Sequence, residues 1–164
     1  MTLTKSKSAN AEFDLTPLRL ETFLPYQLNH LSELVSGALS QIYAREHDIT
    51  VPEWRIIATL GQYGTMMARD IANHSRMNKT MVSRAATSLA DRHLICRSSN
   101  PDDKREAFLT LSPSGKVMYA SIIPKAKDFN AQLSSALDEN ERLQFEELLN
   151  KITSKAVDIS SGDV

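Results

Sequence analysis

The chain has 164 residues, 41% of them apolar, enough for one packed domain or a small module joined to an assembly element, and too many for a disordered tail. Aromatics are only 6%, with five Gly and six Pro, a composition that favours helices. The net charge of −1 at first argues against a nucleic-acid ligand, but the segment Ala68 to Arg105 carries eight basic residues against four acids, leaving −5 elsewhere, as expected of one DNA-facing surface with acidic flanks.

No apolar run reaches the roughly 18 residues that span a bilayer, and Met1 to Asp14 is polar, without the apolar centre of a signal peptide. These features predict a cytoplasmic protein with no membrane partner. The single cysteine, Cys96, cannot form an intrachain disulfide and is expected to be buried beside Ile95 and inert.

Residues 1–17 mix Ser, Thr, Lys and Asn without periodicity and read as a flexible arm. Leu24, Leu28, Leu31, Val35, Ala38 and Ile42 then recur at spacings of three and four, one apolar stripe of a helix running to about His47, with Pro25 in its first turn. Thr50-Val51-Pro52-Glu53 has the form of a capping box opening a second helix that buries Trp54, Ile57 and Leu60. Gly61 to Gly64 predicts a break, followed by a short helix from Met67 to His74 and a tight turn at Ser75 to Met77. Asn78 predicts the cap of a further helix from Lys79 to about Arg92, burying Met81, Val82, Ala85 and Leu89. Lys79, Thr80, Ser83, Arg84 and Thr87 point elsewhere on it.

Leu94 to Arg97 and Ala107 to Leu111 are β-prone runs separated by the turn-rich, charged stretch Ser98 to Arg105, a predicted hairpin. A long helix from about Gly115 to Ser134, interrupted by Pro124, and another from Asp138 to about Val157 complete an order of four helices, two strands and two helices. Residues 158–164 read as a flexible tail.

Two short helices joined by a tight turn, the second polar on its outer face, followed by a hairpin, match a winged helix-turn-helix. The run Asn78-Lys79-Thr80-Met81-Val82-Ser83-Arg84, then Leu94-Ile95 with Arg97, Asp103-Lys104-Arg105, and Leu109-Thr110-Leu111-Ser112 with Gly115, resembles the MarR family of regulators over roughly Leu24 to Ile152. His93 stands where that family usually has Gly at the end of the recognition helix, so it must accept a left-handed or similar cap.

The resemblance implies a mainly α fold with a small β wing: a DNA-binding module at 48–114 flanked by dimerisation helices at 18–47 and 115–157. It implies a homodimer on a pseudo-palindromic operator, with Lys79, Thr80, Ser83, Arg84 and Thr87 in the major groove and Arg97, Lys104 and Arg105 as further DNA contacts. Asp103 would orient the Arg105 guanidinium for the minor groove; the bland alternative is an exposed loop ion pair worth at most about 1 kcal/mol.

A small aromatic or anionic effector is expected between the dimerisation helices and the DNA module, against Arg19, Tyr26, His30, Trp54, Met66, Met67 and Met118, although each of these is individually better explained as core or solvated surface. The opening Leu20 to Tyr26 looks like that of family members controlling hydroxycinnamate or aromatic-acid catabolism. The sequence shows no nucleophile elbow or phosphate loop, and His30, His47, His74 and His93 are scattered, so neither an enzyme, a cofactor nor a metal is expected. The principal rival function is a winged helix that presents its surface to another protein instead of DNA.

Overall fold

The structure, a computed structural model, describes residues 17–100 and 107–162. The chain falls into two compact units divided between Val35 and Ser36. In the first, a 3₁₀ turn over Leu20–Thr22 precedes the start of α1 (Leu24–His47), and Gln27 Nε2 donates to the Glu21 carbonyl at 2.9 Å.

The second unit contains the rest of α1, α2 (Val51–Tyr63), β1 (Met66–Met67), α3 (Ala68–Ser75), α4 (Lys79–Asp91), β2 (Ile95–Ser99), β3 (Ala107–Leu111), α5 (Pro113–Ser134) and α6 (Glu139–Ser161). Its three strands form an antiparallel sheet in the order β1-β3-β2, with Arg97 opposite Leu109 and Met66 opposite Leu109 on the other edge. The fold is therefore mainly α with a small wing.

Local chemistry accounts for the helix starts. Thr50 accepts from the Glu53 N–H, while the Thr50 N–H donates to Glu53 Oε2 at 2.7 Å, closing the capping box. Asn78 accepts from the Met81 N–H at 2.8 Å, Ser112 from Gly115, and Asp138 shares a second capping box with Glu141. Each such cap removes an orphan donor and stabilises its helix by about 1 kcal/mol.

The core gathers Ile56, Ile57, Ile71, Val82, Leu89 and Ile122, all essentially inaccessible, and each contributes roughly 1.5–3 kcal/mol of burial. Trp54 stacks on Tyr43 at 5.3 Å, so its ring belongs to this core.

Several expectations are corrected. Within the break predicted from Gly61 to Gly64 the chain turns only at Gly64: α2 runs on to Tyr63, and Gly61 inside it leaves room for the Tyr119 ring of α5, which comes to 2.3 Å from where a Cβ would be. Cys96 is exposed, not buried, since it alternates with Ile95 across the pleat. Met81 is 40% exposed, because it lies in the first turn of α4, away from Val82, Ala85, Ala86 and Leu89. Ser98 and Ser99 belong to β2 instead of the loop, and β1 is an additional strand too short to show periodicity. Helix α6 extends to Ser161, past the predicted Val157.

Candidate nucleic-acid interface

Helix α4 is held by one face and free on the other. Val82, Ala85, Ala86 and Leu89 bury against α2 and α3, and the two alanines keep the helix close to its neighbours. At 100° per residue this leaves Lys79, Thr80, Ser83, Arg84 and Thr87 together on the opposite side, and all five are exposed. The turn before α4 is made by Arg76, at φ 54°, and by Met77, whose N–H donates to the Ala72 carbonyl and whose side chain is buried. A helix, a tight turn and a second helix with a polar outer face result.

The wing strand β2 brings Arg97 to this face, where its guanidinium donates to Thr87 Oγ1 at 3.1 Å. A groove of about 390 Å³ between α3, α4 and the sheet collects Arg69, Lys79 and Arg97 around Ser83, with Val82 and Leu109 as its floor. Cationic donors beside hydroxyls over an apolar floor are suited to phosphate oxygens and base edges. Asp103, Lys104 and Arg105 lie outside the described residues.

The end of α4 is fixed from two directions. His93 adopts φ 55°, and its carbonyl accepts from both Ser112 Oγ and Ser114 Oγ at 2.7 Å, tying the helix end to the start of α5. Glu53, only 4% exposed, ties it to α2: Oε1 accepts from Ser88 Oγ at 2.6 Å, while Oε2 accepts from the Thr50 hydroxyl at 2.8 Å. Arg92 stands 3.9 Å from Glu53 Oε1 and donates to the His47 carbonyl at 2.6 Å and the Asp48 carbonyl at 2.8 Å, where α1 ends. Burial alone would push the Glu53 carboxyl up, but the hydrogen bonds from Ser88 and Thr50 and the nearby Arg92 charge outweigh it and hold the group below its ordinary 4.5. The sequence offers Glu53 only as a capping residue; its link to Ser88 crosses 35 positions and has no local signature.

The residues expected to meet an effector fall in both units. Arg19 caps the 3₁₀ turn through its backbone, and Tyr26 and His30 are exposed on α1, in the first unit. In the second, Trp54 is core, Met118 is half-buried on α5, and Met66 and Met67 line a shallow hollow of about 370 Å³ with Tyr63, His74 and Phe108. Among the described residues no group of three or more His, Cys, Asp or Glu is placed to hold a metal ion, and no helix is long and apolar enough to cross a membrane.

A helix-turn-helix whose second helix presents a polar face, joined to a basic wing strand, defines the winged-helix class of DNA-binding regulators. Residues 49–107 match the sequence profile of the MarR family. Over 85% of this chain and 93% of the other, the structure superposes with a TM-score of 0.72 on the crystal structure of a MarR family transcriptional regulator from Silicibacter pomeroyi DSS, at 30% identity. The chain belongs to the MarR family, whose members are transcriptional regulators and not enzymes.

The HTH-type transcriptional repressor MdtR of Bacillus subtilis (strain 168) is 26% identical over 108 residues, 66% of this chain and 70% of that one. The structure of Bordetella bronchiseptica BpsR, described with the mechanism by which 6-hydroxynicotinic acid regulates its DNA binding, shares the fold at 20% identity, with a TM-score of 0.74 over 84% of this chain and 98% of that one.

Proposed function

We propose that this regulator is a homodimeric repressor that binds a pseudo-palindromic operator and releases it when a small aromatic acid or aromatic acyl thioester binds. The observation that carries the reading is the exposed row Lys79, Thr80, Ser83, Arg84 and Thr87 on a helix whose other face is locked into the core. Residues 48–114 form the DNA-binding module, and the helices within 18–47 and 115–157 assemble the dimer. Arg84 and Ser83 read base edges, Lys79 and Arg97 hold phosphates, and Lys104 and Arg105 act from the wing, with Asp103 orienting Arg105.

Dimerisation is supported by α6, of which no residue is buried although Phe145, Leu148 and Leu149 are large and apolar. A two-fold dimer brings two recognition helices to half-sites about one helical turn apart, which one helix cannot do alone. The effector class is supported by the aromatic acid in the BpsR description; Arg19 is the proposed contact for its carboxylate, alongside Tyr26 and His30. Hydroxycinnamates are the first members of this class to test. A hundredfold loss of occupancy requires the effector to favour the released state by roughly 3 kcal/mol.

The deciding experiment is selection from random duplexes, followed by titration of the enriched site in rising salt with and without a panel of hydroxycinnamates, hydroxybenzoates and their thioesters. A two-fold symmetric site, bound less tightly as salt rises and released by one acid, is the expected result. Weak, salt-insensitive binding without enrichment would overturn the reading in favour of a protein-interaction module.

A further inference from the structure

The buried Glu53 carboxylate makes more contacts than a helix cap needs. A capping box requires one acceptor for the Thr50 N–H, and Oε2 supplies it; Oε1 faces the other way, to Ser88 in the last two turns of α4 and to Arg92 at its end. Arg92 in turn bridges two carbonyls, His47 and Asp48, which the last turn of α1 leaves without helical donors, and Asp48 itself adopts φ 50° to present them. All of these groups lie in the second unit. One guanidinium and one carboxylate thus join the end of α1, the start of α2 and the end of α4.

We infer that Glu53 and Arg92 are positioning residues for DNA recognition, fixing the inclination of α4 relative to the end of α1 so that Ser83, Arg84 and Thr87 meet the bases together. This rests on α4 being the DNA-reading helix. The apolar contacts of α4 come from two alanines, Val82 and Leu89, which hold the helix in the core but are non-directional and leave it the small freedom to roll about its own axis. Directional bonds to a buried charge at the C-terminal end remove that freedom, because any roll separates Ser88 from Oε1 and leaves a buried carboxylate short of a donor. Phosphate contacts tolerate small shifts of a flexible Lys or Arg, whereas bonds to base edges do not. The node therefore governs discrimination between sequences more than overall affinity.

The test uses the full chain with the operator enriched by selection and a scrambled duplex of equal length, in wild type, Glu53→Gln, Arg92→Met, Ser88→Ala and Arg84→Ala, each assayed well below its own thermal midpoint. The expected result is a roughly tenfold fall in the operator-to-scrambled affinity ratio for Glu53→Gln and Arg92→Met, with the slope of affinity against salt unchanged because the phosphate-contacting cations remain. Lowered midpoints with a wild-type ratio would reduce the node to a stability element and overturn the inference. So would a reduced salt slope at an unchanged ratio, which would make Arg92 a phosphate contact. Should Glu53→Gln or Arg92→Met fail to fold, Ser88→Ala, which deletes one hydroxyl, carries the same comparison, with a preserved ratio counting against the inference. A wild type that selects no operator, or an operator indifferent to Arg84→Ala, would instead overturn the reading of α4 on which the inference depends.

Discussion

His93 occupies a left-handed conformation, φ 55°, that costs a residue with a Cβ about 1 kcal/mol or more, yet its side chain is exposed and bonds to none of the described residues. Only its carbonyl is used, by Ser112 and Ser114. His93→Gly should accordingly raise stability by about 1 kcal/mol in urea denaturation at unchanged slope. Gly115 is the opposite case: a Cβ there would lie 2.0 Å from the Leu94 carbonyl oxygen, so Gly115→Ala should lose roughly 3 kcal/mol in the same measurement.

Glu53 carries a pH signature. Its folded-state pKa lies below the ordinary 4.5, so its contribution is complete above 4.5 and is lost as pH falls through the lower, folded value, where the unfolded chain binds the proton more readily. Wild type should exceed Glu53→Gln by about 2 kcal/mol near neutral pH, and the gap should close below pH 4.5 in a series of denaturation curves.

At the scale of elements, α4 was legible because its pattern is redundant: Asn78 caps it, and apolar positions 82, 85, 86 and 89 leave one polar stripe. Deletions along that stripe should separate by chemistry. Arg84→Ala should weaken operator binding by about 1–3 kcal/mol and relax the preferred sequence, whereas Arg97→Ala should weaken operator and scrambled duplex alike and lower the salt slope by about 1, both read by fluorescence anisotropy. The tether from Arg97 to Thr87 was not legible, because the two residues meet only when β2 folds back along α4. Strand β1 was missed for a related reason: two methionines have no period, and they become a strand only through pairing with Phe108 and Leu109. Gly61 misled in the reverse sense, since a glycine inside a helix reads as a break until the Tyr119 ring that fills its place is known.

For the molecule as a whole, the surface of α6 sets the problem of assembly. Leu148 is 55% exposed and Phe145 41%, beside Leu149, in a helix with no buried residue. A stable dimer needs at least about 1,200 Å² of total buried surface, which a two-turn apolar patch supplies only in concert with other helices. On the proposed dimer, Phe145→Asp with Leu148→Asp should therefore shift sedimentation velocity from dimer to monomer and abolish operator binding while leaving the helical circular dichroism of the DNA-binding module in place; a dimer unmoved by both changes would remove α6 from the proposed interface.

Periodicity, caps and charge asymmetry determined the helices, the wing, the mainly α class and the face of α4 that carries Ser83 and Arg84, because each follows from residues within a few turns of one another. The clasp of His93 by Ser112 and Ser114, and the junction of Glu53 with Ser88 and Arg92 and of Arg92 with the end of α1, were decided only by the tertiary structure. These depend on groups up to 45 positions apart, from the Arg92 guanidinium to the His47 carbonyl, being brought within hydrogen-bonding distance, and the directionality of a hydrogen bond leaves no trace in local spacing.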